Sequence, residues 1–249
     1  DFKITADQLS AAMTNKTKMM IFSSPCNPTG SIYGKDELAS LAKIIETKKD
    51  FYVIADEIYE LINFSGNHES LAQFSEIYEQ VITINGVSKG FAMTGWRLGY
   101  IGAPEWIAKA CDKIQGQFTS ATCSITQRAV IEAMEMDPSE MLYMRDAFKE
   151  RRDYMIGRLE KIDGVIINQP EGAFYVFPNI EALFGKKHSK GTIENATDLC
   201  LYLLEVAEVA LVTGEAFGSP ECIRISYATS IEVLEEAMNR METALKQLK

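Results

Sequence analysis

Two side chains in one stretch carry chemical potential that their neighbours lack. Lys89 stands in a Val-Ser-Lys-Gly turn just after the apolar β-branched run Val81-Ile-Thr-Ile, and Arg97 follows eight residues later in Thr-Gly-Trp-Arg-Leu-Gly. An amine at the end of a buried strand is poorly solvated in its charged form, which lowers its pKa and makes it a usable nucleophile. A guanidinium one short loop away offers a planar fork of donors for a phosphate or a carboxylate. The pair suits a carbonyl cofactor that carries a phosphate. Taken alone, the stretch reads equally well as a strand, a Gly-rich turn and a surface arginine in an ion pair.

Other residues bear on that choice. Asp56 and Tyr59 lie three apart in Ala-Asp-Glu-Ile-Tyr, a spacing that lets both face one pocket where a strand turns into a helix. A carboxylate beneath an aromatic nitrogen heterocycle keeps the ring nitrogen protonated, as an electron sink requires. The Tyr59 hydroxyl and the Asn27 amide suit a ring phenolate. Arg224, in Cys-Ile-Arg-Ile-Ser-Tyr-Ala-Thr, sits in a strand-like run, where a guanidinium needs a partner and a substrate carboxylate would supply one. Each has a plainer reading: a capping acid for Asp56, a core aromatic for Tyr59, a turn initiator before Pro28 for Asn27, ion pairs for both arginines. Trp96, Phe174 and Tyr175 read as core residues.

The elements that must position these groups alternate. A helix over 5–13 with a Thr or Asp cap precedes a buried strand, Lys18–Ser23, which runs into the turn-rich Ser24-Pro-Cys-Asn-Pro-Thr-Gly30. Asp36 is expected to cap a helix whose Leu38, Leu41, Ala42 and Ile45 share one face. Strands follow at 51–56, 81–84 and 98–102, in a continuing strand–helix–strand rhythm. Alternation of this kind implies a largely parallel sheet covered on both faces, with its chemistry at the C-terminal strand ends. Asn27, Asp56 and Lys89 all lie at or just past such ends. From Ala103 the pattern becomes helical: 105–115, 124–136 and a long helix over 139–162 with Phe148, Met155, Leu159 and Ile162 as its seam. Strands at 165–168, 173–177, 209–212 and 222–228, with helices at 196–207 and from 231, complete a smaller α+β domain. The boundary is expected at 137/138.

Composition narrows the class. The 249 residues suffice for one large or two smaller domains, and 47% hydrophobic with 24% charged residues is ordinary for a globular protein. A net charge of −10 argues against a general nucleic-acid binder. No apolar run approaches the roughly 18 residues of a membrane span, and no secretory signal opens the chain. Five cysteines with no Cys-x-x-Cys pair point to a reduced, cytoplasmic setting. His68 and His188 read as loop residues, and no metal site is expected.

The segments S-P-C-N-P-T-G, A-D-E-I-Y, S-K-G-F-A-M-T-G-W-R-L-G-Y, G-A-F-Y-V-F and I-R-I-S-Y-A-T, in this order, resemble those of the class I/II aminotransferases, closest to the aspartate/aromatic branch. The resemblance runs the whole length of the chain. It implies an α/β protein of the pyridoxal-phosphate (PLP)-dependent transferase fold type I. Residues 1–137 would form the rear part of the large-domain sheet, mixed but mostly parallel, and 138–249 an α+β C-terminal small domain. It implies pyridoxal 5'-phosphate as cofactor, with Lys89 as the Schiff-base lysine and α-proton carrier. Asp56 would pair with the ring nitrogen, and Tyr59 and Asn27 would bind the ring oxygen. Arg97 would bind the phosphate and Arg224 the substrate carboxylate. Amino acids and 2-oxo acids are the implied substrates, and a homodimer the implied assembly.

Two departures stand out. Many members carry a hydroxyl three residues before the lysine, where this chain has Gly86; Ser88 or a backbone N–H is the expected substitute. The family's front half, including a Gly-rich phosphate loop and a ring-stacking aromatic, has no counterpart here. The chain is therefore expected to be an N-terminally truncated piece with unpaired sheet edges, weak cofactor binding and poor turnover. Three other readings stay open: a carbon–sulfur β-lyase on the same scaffold, a cofactor-sensing module of a regulator, and a non-catalytic fragment.

Overall fold

The computed structural model describes residues 2–189 and 191–249, which divide into two compact units. The first comprises residues 2–26 and 31–145, the second residues 27–30 and 146–249. The division falls after Arg145 rather than at 137/138, and four residues of the Asn27 turn group with the C-terminal unit.

In the first unit, helix α1 (Ala6–Ala12) starts at Thr5, whose side chain accepts the Gln8 N–H while the Gln8 side chain returns to the Thr5 N–H. Strand β1 (Met19–Ser23) leads to α2 (Lys35–Glu46), then β2 (Tyr52–Asp56), β3 (Val81–Gly86) and β4 (Gly99–Gly102). The cap of α2 is Gly34 and not Asp36. Glu37 reaches back to the Gly34 N–H at 2.8 Å, and Asp36 lies in the first turn, where its charge faces the helix dipole favourably. Leu38, Leu41, Ala42 and Ile45 are buried on one face, as their spacing requires, against Phe51, Val53 and Leu71. Burying each large aliphatic contributes about 1.5–3 kcal/mol before entropy is counted.

The sheet order is β1-β2-β3-β4, parallel from β1 to β3 and antiparallel at β4. No α-helix bridges β2 and β3; two 3₁₀ turns, Leu71–Gln73 and Ser75–Gln80, make that connection. Nor is β1 a buried strand. It is the outermost strand of the sheet, with Met19 49% and Ile21 77% exposed, because nothing among the described residues pairs beyond it. Helix α3 (Glu105–Phe118) buries none of its residues, and α4 (Ser124–Glu135) buries Thr126, Val130 and Ala133.

The second unit begins with α5 (Leu142–Leu159), of which residues 146–159 belong to it. The long predicted helix is in fact a 3₁₀ turn, Pro138–Met141, followed by α5, because Asp137 caps the turn and Pro138 occupies its first position. Strand β5 (Tyr175–Val176), the hairpin strands β6 (Lys187–His188) and β7 (Gly191–Thr192), helix α6 (Ala196–Ala207), β8 (Val212–Thr213), β9 (Ile223–Ser226) and α7 (Ile231–Leu245) follow. The antiparallel order is β5-β9-β8. Residues 165–168 form no strand and contribute one bridge, Ile166 to Asn179; the strand expected at 173–177 shortens to Tyr175–Val176, and the one expected at 209–212 begins only at Val212 and ends at Thr213. The core gathers Met155, Leu159, Leu203, Tyr227, Met238 and Met241, and Phe148 and Ile162 pack on its margin.

Candidate active site

Register brings the strand ends of the first unit into line. Ser23 pairs with Asp56, and Asp56 with Ile84, so β1 and β2 end level while β3 runs two residues further, to Gly86. The Ser24–Cys26 turn, the Asp56–Tyr59 turn and the loop bearing Lys89 all leave the sheet at that edge. The Ser24 N–H donates to the Asp56 carbonyl at 3.2 Å, and the Glu57 N–H to the Ile84 carbonyl at 2.9 Å, which pins the three exits together.

Asp56 is partly buried, and its Oδ1 accepts the Ile58 N–H at 3.1 Å. Among the described residues no cation pairs with it. Tyr59, 3% exposed, sits beneath the same turn. Lys89 is partly buried, and its carbonyl accepts the Ala92 N–H at 3.1 Å, closing a turn. Ser88, also partly buried, gives its carbonyl to Thr94 Oγ1 at 2.8 Å. Arg97 is exposed, donates to the Thr94 carbonyl at 2.8 Å and has no carboxylate partner among the described residues. Its backbone is left-handed (φ 55°), as is that of Ala92 (φ 53°). Non-glycine residues rarely occupy this region, and their clustering in one loop marks a segment held in a special shape. Trp96, expected in the core, is 44% exposed beside it.

Gly86 has a packing reason. It faces Gly99 across the antiparallel pair, and a Cβ there would lie 2.9 Å from Gly99 Cα and 2.9 Å from the Leu98 carbonyl. A serine at this position would push β4 outward, so the absent hydroxyl and the closeness of β3 and β4 are one feature.

Behind the strand ends lies a buried polar network. The Glu57 carboxylate accepts from Ser70 Oγ at 2.6 Å and meets His68 Nε2 at 2.9 Å. Glu57, Glu60 and His68 each place a potential ligand atom within 4.8 Å of the others. The Glu57 oxygens are already engaged by Ser70 and His68, so hydrogen bonding accounts for the group. Burial pushes the Glu60 carboxyl above its ordinary value, against the lowering effect of Asn85 and His68, and nearby Glu57 adds to the rise. An acid whose folded-state pKa is raised stabilises the fold fully below the unfolded value, and that contribution is lost as pH climbs to the folded value. Glu60→Gln is therefore expected to raise Tm at pH 7 by roughly 2 °C and to flatten the fall in stability above pH 4.5. Thermal unfolding followed across pH 4 to 8 checks this.

In the second unit, Arg224 Nη1 donates to Asn27 Oδ1 at 2.9 Å. Its guanidinium lies over the rings of Tyr175, at 4.6 Å, and Phe217, at 5.0 Å. No carboxylate pairs with Arg224 among the described residues. Tyr175, read from sequence as core, is a neighbour of this arginine. Tyr175 pairs with Ser226, and Arg224 stands two residues along on the same face, which makes the two diagonal neighbours. Only the register reveals that contact. Phe217, in its 3₁₀ turn after β8, carried no sequence signal.

The family model for aminotransferase class I and II matches residues 1–241. Among curated relatives, a bifunctional aspartate aminotransferase and glutamate/aspartate-prephenate aminotransferase of Petunia hybrida is 42% identical, over 100% of this chain and 53% of its own length. A probable aspartate/prephenate aminotransferase of Rickettsia bellii is 41% identical, over 100% and 63%. The crystal structure of the aspartate aminotransferase from Rhizobium meliloti superposes with a TM-score of 0.95 at 38% identity, covering 100% of this chain and 63% of that one. An aromatic aminotransferase from Pyrococcus horikoshii gives 0.89 at 37%, over 98% and 64%. The chain thus spans about half to two-thirds of the length of the proteins it matches. Its α/β fold is that of the aspartate aminotransferases, fold type I among PLP enzymes, and the chain belongs to the class I and II aminotransferases.

Proposed function

We propose that this chain carries the chemistry of a PLP-dependent aminotransferase that moves an amino group between an amino acid and a 2-oxo acid. One observation carries the reading. At a single sheet edge, a carboxylate with no cation partner among the described residues (Asp56) and a guanidinium with no acid partner among them (Arg97) flank the loop of a partly buried lysine. That donor set fits the cofactor group by group: acid for ring nitrogen, cation for phosphate, amine for aldehyde.

In this reading Asp56 holds the ring nitrogen protonated, and Tyr59 and Asn27 hydrogen-bond the ring oxygen. Ser88 and Arg97 bind the phosphate, with Gly86 leaving that task to them. Bound pyridoxal phosphate supplies an aldehyde and a protonated ring that takes up electron density from the substrate Cα. Lys89 Nζ is the amine that would hold the aldehyde and, when free, the base that would move the proton at the substrate Cα. Arg224 clamps the substrate α-carboxylate through the N–H donors that Asn27 leaves unused.

The first unit would be part of the cofactor-binding large domain and the second the small domain. The five free cysteines support a cytoplasmic setting, and the uncovered apolar side chains of α3, Trp106, Ile114 and Phe118, support a homodimer. Aspartate and prephenate, named for the relatives, are the substrates to try first.

Parallel assays of the chain with excess cofactor test the reading. Amino transfer from aspartate to 2-oxoglutarate is expected above the rate of free cofactor, though slow beside a full-length relative, with no pyruvate from cystathionine. Pyruvate release outpacing transfer would instead establish the β-lyase.

A further inference from the structure

Glu57 directly follows Asp56, the last residue of β2, and is the more deeply buried of the two: only 7% of its side chain reaches solvent. A carboxylate so buried is costly unless its oxygens are paired. Both partners, Ser70 Oγ and His68 Nε2, come from the loop that follows the Asp56–Tyr59 turn. Because a carboxylate can only accept, His68 Nε2 donates. Ser70 also accepts the Ala72 N–H at 3.1 Å, which ties the same carboxylate to the next 3₁₀ turn. On its main chain Glu57 donates to the Ile84 carbonyl within β3, and its own carbonyl accepts the Glu60 N–H at 2.9 Å; the Ile62 N–H closes on the Tyr59 carbonyl at 2.8 Å. Glu60 in turn feels both His68 and Asn85, four residues before Lys89, each of which favours its charged form. His68 thus joins the turn of Asp56 and Tyr59 to the strand that delivers Lys89, and its Nδ1 is buried without a partner among the described residues.

We propose that His68 is a positioning residue: by clamping Glu57 it holds the Asp56–Tyr59 turn in register with the Lys89 loop, and so sets the affinity for pyridoxal phosphate. The inference rests on the cofactor reading above. The clamp needs a donor at the reach of Nε2, and this separates two otherwise similar variants. Glutamine places its amide nitrogen near that reach, whereas asparagine places it near Nδ1, one bond short.

Two measurements on the 249-residue chain test the proposal. Hydrogen exchange on the cofactor-free protein reads the hold on the turn, at the amides of Glu60 and Ile62. Absorbance titration with pyridoxal phosphate reads affinity at the lysine. His68→Leu and His68→Asn are expected to lose protection at both amides and to weaken cofactor binding by about 10-fold, and His68→Gln to restore both. A merely structural role would lower Tm in all three variants without separating Gln from Asn. Unchanged protection in His68→Leu overturns the inference whatever the cofactor does, and so does lost protection with unchanged affinity. If the wild-type chain takes up no cofactor that Lys89→Ala abolishes, the cofactor reading itself fails. The exchange data would then still report whether the clamp exists.

Discussion

Lys89→Ala is expected to abolish borohydride-fixable pyridoxal phosphate at this position and to reduce amino transfer on the order of 10³-fold or more. The magnitude follows from two roles lost together, the nucleophile that attaches the aldehyde and the base that moves the α-proton. Lys89→Arg sharpens the result. It keeps the positive charge and the length, yet a guanidinium, which stays protonated at neutral pH, neither attaches an aldehyde nor accepts a proton. Equal loss in both variants assigns the effect to amine chemistry, and recovery in the arginine variant would reduce Lys89 to a phosphate-binding cation. Peptide mapping after reduction at substoichiometric cofactor supplies the direct reading. The peptide containing Lys89 should carry the label first, before exposed lysines such as Lys18 and Lys109.

Gly30→Ala should be among the most destabilising single-methyl substitutions in the chain. Gly30 has φ 68°, and a Cβ there would stand 2.4 Å from Pro170 Cβ and 2.7 Å from the Gly172 carbonyl. Its own carbonyl accepts both the Glu171 and Gly172 N–H groups at 2.9 Å, so the two segments cannot part without losing those bonds. Left-handed strain of roughly 1 kcal/mol and overpacking of about 1–3 kcal/mol together predict a fall in Tm of roughly 5–12 °C. The damage should reach the substrate side, because Gly30 lies three residues from Asn27 in the same turn, and the Asn27 side chain accepts from Arg224. A rise in KM for the amino acid is the expected kinetic mark. Gly157→Ala is the control: nothing lies within 4 Å of its Cβ position in α5, so a gain of about 0.5–1 kcal/mol is expected there. A Gly30→Ala protein as stable as wild type would mean that residues 170–172 yield easily.

Local signals in the sequence were enough for much of this. The helices at 196–207 and from 231, and the strand ends at Asp56 and before Lys89, follow from apolar periodicity and turn residues, which act over a few neighbours. Errors arose where pairing partners decide. Residues 165–168 have strand composition but find one bridge, and β1 is apolar yet lies at an edge, because neither burial nor pairing is a property of the segment alone. The cap of α2 went to Gly34 because Glu37 supplied the returning carboxylate, so the local preference of Asp36 was overridden by its neighbour.

Residue types and their order were sufficient to name Lys89, Asp56, Tyr59, Ser88, Arg97, Asn27 and Arg224 as candidates, since amine, acid, phenol, hydroxyl, amide and guanidinium chemistry belongs to the side chain wherever it stands. Tertiary structure decided which of them share an edge, that Gly86 is required by the approach of Gly99, and that Tyr175 and Phe217 lie against Arg224. It also decided that His68, 11 residues from Glu57, closes on that buried carboxylate. Strand register and the pairing of a buried charge are set by contacts between segments distant in sequence, and no window along the chain encodes them.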